Sequence, residues 1–189
     1  MSKQLLKEYI AILINEALRN KLYVWDFDDT LVKTHSKVRV TKNPEGHEPY
    51  VVEMTPAEYA VYDKEPGDEF DYSDFSNVIN PEAIRWTQNI LQKIIRKRGP
   101  GAAVILTARG ILAAPAIRDY LKDIGINDIK IITLGNSDPQ LKADWIYEKA
   151  QSGEYSEIEF FDDSYKNIKA VKNLPEVPGV NIIARHIVH

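Results

Sequence analysis

The stretch Leu22-Tyr23-Val24-Trp25-Asp26-Phe27-Asp28-Asp29-Thr30-Leu31 changes character halfway, from four apolar residues to three carboxylates within four positions. The apolar half has the length and the aromatic and β-branched content of a short buried strand. Acids crowded at its end mark the place where that strand leaves the core. The same kind of run recurs at Ala103 to Leu106, Ile129 to Leu134, Ile158 to Phe161 and Val180 to Ala184. Between the runs lie helix-period segments with start signals: Asn80 before Pro81, Ser137 or Asp138 before Pro139, and Ser164 ahead of Tyr165 to Leu174. Strands alternating with helices predict an α/β fold, an open parallel sheet covered by helices.

The spacing is regular except after the first run, where residues 31 to 79 exceed a normal crossover. An insertion is expected there. Val38 to Val40 and Tyr50 to Met54 flank a turn-like stretch with Pro44 and Gly46, which predicts a β-hairpin. Thr55-Pro56 with Glu58 spells a capping box opening a short helix. Residues 31 to 42 carry Lys33, Lys37, Arg39 and Lys42 with no acid, whereas residues 43 to 76 carry ten acids against Lys64. If residues 33 to 39 are extended, Lys33, His35, Lys37 and Arg39 share one face. Such a stripe could meet a polyanion, or could simply keep a hairpin edge soluble.

The chain has 189 residues, 44% hydrophobic and 28% charged, which suits one domain, residues 1–189, with a modest insertion at 31–79. Cysteine is absent, which excludes disulfides, thiolate metal sites and a cysteine nucleophile and fits a reducing cytoplasmic setting. The four histidines (His35, His47, His186, His189) are too scattered for a histidine metal site, so oxygen ligands are expected for any metal. No apolar run reaches the roughly 20 residues of a membrane span. The N-terminal stretch, interrupted by Glu8 and Glu16, reads as an amphipathic helix with Leu6, Tyr9, Ile10, Leu13 and Ala17 on one face. A net charge of -4 predicts no global attraction to polyanions.

Open α/β sheets bind ligands outside the carboxyl ends of their strands. Here those ends read Asp26 to Leu31, Thr107-Ala108-Arg109, Gly135-Asn136 and Asp162-Asp163-Ser164. Asp26 and Asp28 would share one side of an extended chain. Bringing them together with Asp162 and Asp163 is costly without a cation, and Mg²⁺, which takes carboxylates, waters and phosphate oxygens, is the simple remedy. Thr107 and a lysine could then hold a phosphoryl group. Lys142, early in the helix before the fourth strand, suits that role, while Lys149 would project away. Each feature alone also has a bland reading, as helix caps or a strand-end hydroxyl.

Together these residues resemble the haloacid dehalogenase superfamily. The resemblance rests on Val24-Trp25-Asp26-Phe27-Asp28-Asp29-Thr30-Leu31, Val104-Ile105-Leu106-Thr107-Ala108-Arg109, Lys142, and Phe160-Phe161-Asp162-Asp163-Ser164 followed by Asn167. It implies a Rossmann-like core whose five parallel strands run in the order 3-2-1-4-5, with the insertion as a small cap or flap. It also implies that Asp26 attacks phosphorus while Asp28 acts as acid and base. Mg²⁺ would be held by Asp26, the Asp28 carbonyl and Asp162, with Asp163 close by, and Thr107 and Lys142 would bind phosphoryl oxygens. The Thr-Ala-Arg string and short cap are similar to the phosphatase domains of polynucleotide kinase-phosphatases and to phage-type members. On that similarity Arg109 is a candidate substrate contact; the basic stripe adds Lys33, Lys37 and Arg39, and the first strand's end adds Thr30.

The function expected is therefore a Mg²⁺-dependent phosphomonoesterase whose substrate is a nucleotide or a nucleic-acid terminal phosphate, with a phosphatase of small sugar or metabolite phosphates, another phosphorylated small molecule, as an alternative. A receiver-type signalling module needs an Asp at the third strand's end, where Leu134-Gly135-Asn136 stand instead. A phosphate-binding scaffold without turnover is a further alternative, disfavoured by intact Asp26 and Asp28. Walker, dinucleotide and nucleophile-elbow motifs are missing.

Overall fold

The computed structural model describes residues 4–7, 9 and 21–188. Residues 4–7 and 9 are helical, and the greater part of the N-terminal amphipathic helix expected from sequence lies outside the described residues. From Lys21 the chain forms β1 (Lys21–Trp25), then an insertion containing β2 (Val32–Lys33), β3 (Val38–Lys42), β4 (Tyr50–Met54), α1 (Pro56–Ala60), β5 (Glu69–Asp71) and β6 (Glu82–Ala83). It continues through α2 (Arg85–Arg98), β7 (Ala103–Thr107), α3 (Ala114–Asp123), β8 (Lys130–Thr133), α4 (Pro139–Gln151), β9 (Glu157–Asp162), α5 (Tyr165–Lys172) and β10 (Asn181–His186). The long strands outside the insertion make one five-stranded, all-parallel sheet flanked by helices, in the order β10-β9-β1-β7-β8, consistent with a Rossmann-like fold.

A parallel sheet with helices on both faces needs strands that are apolar on both sides, and β7, with all five residues buried, shows this plainly. Strand alternation sorts the core into two layers. Trp25, Phe27, Leu91, Ile105, Ile117 and Leu121 fill the layer under α2 and α3. Val24, Leu106, Ile146, Ile158, Phe160 and Ile168 fill the layer under α4 and α5. Trp25 and Phe161, opposite one another on β1 and β9, stack with ring centroids 3.9 Å apart.

The insertion is a three-stranded antiparallel sheet, β4-β3-β5, plus α1. β3 and β4 form the hairpin that the spacing predicts, and Thr55 and Glu58 make the capping box reciprocally. β5 was not expected: it is three residues long with one apolar side chain, Phe70, which finds Val40 as its cross-strand partner. Asn80-Pro81 does not open a helix. Asn80 takes φ 43°, and the next residues, Glu82–Ala83, pair with Val32–Lys33 to close the neck of the insertion, so α2 begins only at Arg85. Among the described residues no helix is long and apolar enough to cross a membrane.

Candidate active site

Residues at alternate positions of a strand face the same way. Val24 faces α4, and so therefore does Asp26; Phe160 faces α4, and so does Asp162. The register sets Trp25 opposite Phe161, and the Asp26 N–H donates to the Phe161 carbonyl at 2.9 Å, so the two aspartates leave the sheet side by side. α4 starts at this edge, with Asp138 as its N-cap accepting from the Gln140 N–H at 2.9 Å. One turn in, the buried Lys142 ammonium donates to Asp26 Oδ1 at 2.6 Å and Asp162 Oδ2 at 2.7 Å. Lys149 lies elsewhere, lining a cavity of about 300 Å³ at the opposite edge of the sheet with Leu22 and Trp145.

Asp162 is oriented further by the Ser164 N–H at 2.8 Å and by Asn167 Nδ2, 3.0 Å from each carboxylate oxygen. Asp163 sits beside it. Burial first, then the charges of Asp162 and Asp29, push the Asp163 carboxyl up to about 6. Burial also pushes Asp26 well above the ordinary carboxylate range, with Asp162 and Asp28 reinforcing it and Lys142 opposing. Burial acts to lower Lys142, but Asp26 and Asp162 outweigh it and hold the ammonium above its usual range. Lys142 thus bridges two of the three carboxylates, and their crowding in a buried pocket disfavours ionising all three at once.

Carboxylate oxygens of Asp26, Asp162 and Asp163 lie within 4.8 Å of one another. Opposite ligands of one Mg²⁺ are about 4.2 Å apart, so small side-chain adjustments bring these oxygens into a single coordination shell. An all-oxygen set of carboxylate donors at this spacing fits a hard divalent cation.

Asp28 departs from the expected arrangement of four carboxylates around one ion. The strand parity that would align it with Asp26 is broken immediately after Phe27: the Leu31 N–H returns to the Phe27 carbonyl at 2.9 Å and Asp29 adopts φ 51°. Asp and Asn tolerate this left-handed conformation better than most residues. The turn swings the Asp28 carboxylate toward Arg109, whose Nε and Nη2 each donate to one Asp28 oxygen at 2.7 Å. Thr34 Oγ1 donates to Asp28 Oδ1 at 2.8 Å as well.

Arg109 also differs from its expected role as a substrate contact. Only 4% exposed, it lies between the rings of Phe27 and Phe75. Beyond Asp28 it donates to the main-chain oxygens of Phe75, at 2.9 Å, and Asn77, and to Thr34 Oγ1 at 2.9 Å. It therefore clamps both limbs of the insertion to the end of β1. Replacing Arg109 by Lys keeps the charge but loses the fork; we expect a loss of about 1.5–3 kcal/mol by denaturant unfolding, the scale of a buried charged hydrogen bond. Hydrogen exchange should quicken at residues 73–77.

Thr30 is likewise part of the frame. It is fully buried, and its hydroxyl accepts from the Asp163 N–H at 3.1 Å and donates to Asp163 Oδ1 at 3.3 Å, tying the loop after β1 to that after β9. Thr107 ends β7, next to β1, and its Oγ1 accepts from the Arg109 N–H at 3.2 Å. The basic stripe does not form a free surface. Arg39 pairs with Asp74 at 2.7 Å and Glu53 at 3.0 Å, His35 with Glu82 at 3.0 Å, and Lys42 with Glu65 at 2.8 Å. Half of the acids that looked like a separate negative tract, Glu53, Glu65, Asp68, Asp71 and Asp74, are partners of Arg39 and Lys42; Lys33 is exposed and Lys37 half-buried.

Sequence reasoning missed the supports under the loop after β1. Thr87 Oγ1 donates to the Thr30 carbonyl at 2.6 Å, and Gln88 Nε2 to the Leu31 carbonyl at 2.7 Å. Two adjacent polar residues buried in the first turn of α2 were the available clue. Neither protein-family models nor curated proteins yield a match to this chain.

Proposed function

We propose that the protein is a Mg²⁺-dependent phosphomonoesterase on a haloacid-dehalogenase-type core, with residues 31–79 as a small cap, working in the cytoplasm. The observation that carries this reading is the bridge from Lys142 to Asp26 and Asp162 at the carboxyl edge of a parallel sheet. In this reading an Asp26 carboxylate oxygen attacks phosphorus, forming an aspartyl phosphate as the bond to the leaving oxygen breaks. Asp28 supplies the proton that the leaving alcohol takes. It then removes one from water, whose oxygen attacks phosphorus and releases inorganic phosphate and free Asp26. Lys142, with Thr107 near the entering oxygens, offsets charge on the transferring group. A bound Mg²⁺ would be held by Asp26 and Asp162 with Asp163 adjacent, and would supply further neutralisation of phosphoryl oxygens.

Because both Asp28 oxygens are held by Arg109 here, the acid-base steps require Asp28 to swing out of that fork while Arg109 stays anchored on the Phe75 and Asn77 carbonyls. The same fork favours one other reading, a phosphate-binding module without turnover. Hydrolysis of an aryl phosphate separates the two, and its absence with Mg²⁺ present rejects the enzyme. Pairing of Arg39 and Lys42 within the cap removes most of the support for a long polyanion. A mononucleotide, a strand end or another small phosphorylated molecule suits the site better. A panel of nucleoside monophosphates, 3'- and 5'-phosphorylated oligonucleotides and sugar phosphates ranks these, and exclusive cleavage of sugar phosphates would overturn the nucleotide assignment.

Chelating divalent ions should abolish turnover, and Mg²⁺ should restore it. Binding should also raise the melting temperature of the wild type, by the equivalent of about 2.7 kcal/mol at 100 times Kd. Asp162→Asn should lose most of that shift; an undiminished shift would remove Asp162 from the metal site.

A further inference from the structure

Exposed aromatic rings from three separate elements gather at the carboxyl edge of the sheet, just outside the carboxylate cluster. α5 opens with Tyr165, directly after Asp162-Asp163-Ser164, and leaves that side chain 66% exposed. β10 ends at His186, in register with Asp162, and the exposed imidazole donates from Nε2 to the Asp163 carbonyl at 2.7 Å. The Tyr165 and His186 rings meet edge to face with centroids 5.9 Å apart. α2 opens with Arg85-Trp86 beside the same loops, because Thr87 holds the Thr30 carbonyl and the Thr30 hydroxyl accepts from the Asp163 N–H. Trp86 is 48% exposed and lines one groove with His186.

A single exposed aromatic residue is ordinary on a protein surface. These three differ in converging, and the core does not need them: Phe160, Phe161 and Ile187 already bury the apolar surface of this edge. Each outer ring also has a cation beside it in the chain. Arg85 precedes Trp86 and Lys166 follows Tyr165; both are exposed, and neither joins an ion pair among the described residues. Arg39 and Lys42, by contrast, spend their charge inside the insertion. Accessible π faces interleaved with uncommitted cations suit a single-stranded nucleic acid, whose bases stack on rings while its phosphates pass the cations. A duplex hides the faces of its paired bases, and three rings are more than the one base of a mononucleotide can cover.

We propose that Trp86, His186 and Tyr165 form a stacking platform for the bases behind a phosphorylated single-strand end, with Arg85 and Lys166 meeting the phosphates between those bases. This names the substrate of the phosphatase proposed above and rests on that reading. The terminal phosphate sits at Asp26, and the strand leaves the site past Asp163, whose carbonyl fixes the His186 ring.

The test compares kcat/KM for a terminally phosphorylated single-stranded oligonucleotide with kcat/KM for an aryl phosphate, in Mg²⁺, for full-length wild type and variants. Trp86→Ala and Tyr165→Ala should each lower the ratio of the two by about tenfold or more through KM for the strand, the scale of one lost stacking contact. Tyr165→Phe keeps a ring and should hold the wild-type ratio. A ratio unchanged in both alanine variants, or a KM as low for a nucleoside monophosphate or a blunt duplex end as for the single strand, overturns the platform and leaves the phosphatase standing. A wild type inactive on every phosphate overturns the phosphatase itself. Binding gives a readout without turnover: fluorescence anisotropy of the labelled, phosphorylated strand on Asp26→Asn should show a Kd at least about tenfold weaker once Tyr165→Ala is added. Arg85→Gln with Lys166→Gln should flatten the salt dependence of that Kd by about 0.7 per residue on logarithmic axes. An unchanged Kd and an unchanged salt slope likewise overturn the proposal.

Discussion

Replacing Asp26 by Asn should cut hydrolysis of an aryl phosphate by about 10⁴-fold or more while the protein stays folded, because loss of a nucleophile removes the covalent route rather than one contact. The fold should survive for a reason visible in the site. The introduced amide oxygen can still accept from Lys142 at the position of Asp26 Oδ1, and Lys142 retains the charged partner Asp162. Removing one of three crowded carboxylates also relieves repulsion that burial intensifies. We therefore expect a melting temperature within a few degrees of wild type, in keeping with a change of roughly 1 kcal/mol. The informative control is acid quench after brief exposure to a labelled aryl phosphate: wild type should retain acid-stable phosphate on the Asp26 peptide and the variant none. Turnover near wild type would refute nucleophilic catalysis by Asp26.

Much of this site was legible in the sequence because strand periodicity is rigid. Once Leu22 to Trp25 and Ile158 to Phe161 are strands, Asp26 and Asp162 follow at their ends. Proline behind Asp138 fixes where α4 begins, and hence that Lys142 and not Lys149 stands near the edge. What the sequence hid lies where periodicity stops. The parity that pairs Asp26 with Asp28 fails at the tight turn after Phe27, so Asp28 meets Arg109 across 81 residues of chain. Long-range pairings of this kind leave no local signature. The basic stripe failed similarly: residues 33 to 39 do not form one strand, and the acids that neutralise Arg39 and Lys42 come from β4, from β5 and the Ser73–Ser76 turn, and from the loop before β5. Charge counted along the chain appeared segregated, whereas in space Arg39 and Lys42 are each paired with acids of that tract.

Replacing Lys142 by Met should damage stability and turnover together, and the way they recover separates two roles. Lys142 is 3% exposed, and its ammonium bridges two buried carboxylates. Breaking a buried pair by deleting one partner typically costs about 3–5 kcal/mol, since the remaining charges are left uncompensated. Without divalent ions the variant should therefore lose about that much by denaturant unfolding. Mg²⁺ should return a larger share of stability to Lys142→Met than it adds to the wild type, because the cation then supplies charge that Lys142 otherwise supplies. If Lys142 served only to balance the aspartates, turnover would return along with stability. If it also holds the transferring phosphoryl group, turnover should stay about 10²–10³-fold down in saturating Mg²⁺, the usual effect of losing one transition-state donor. We expect the second outcome. Its ammonium already contacts Asp26, so an oxygen of any phosphoryl group bound to the Asp26 carboxylate falls within its reach. Unchanged stability and unchanged turnover in this variant would remove Lys142 from the site altogether.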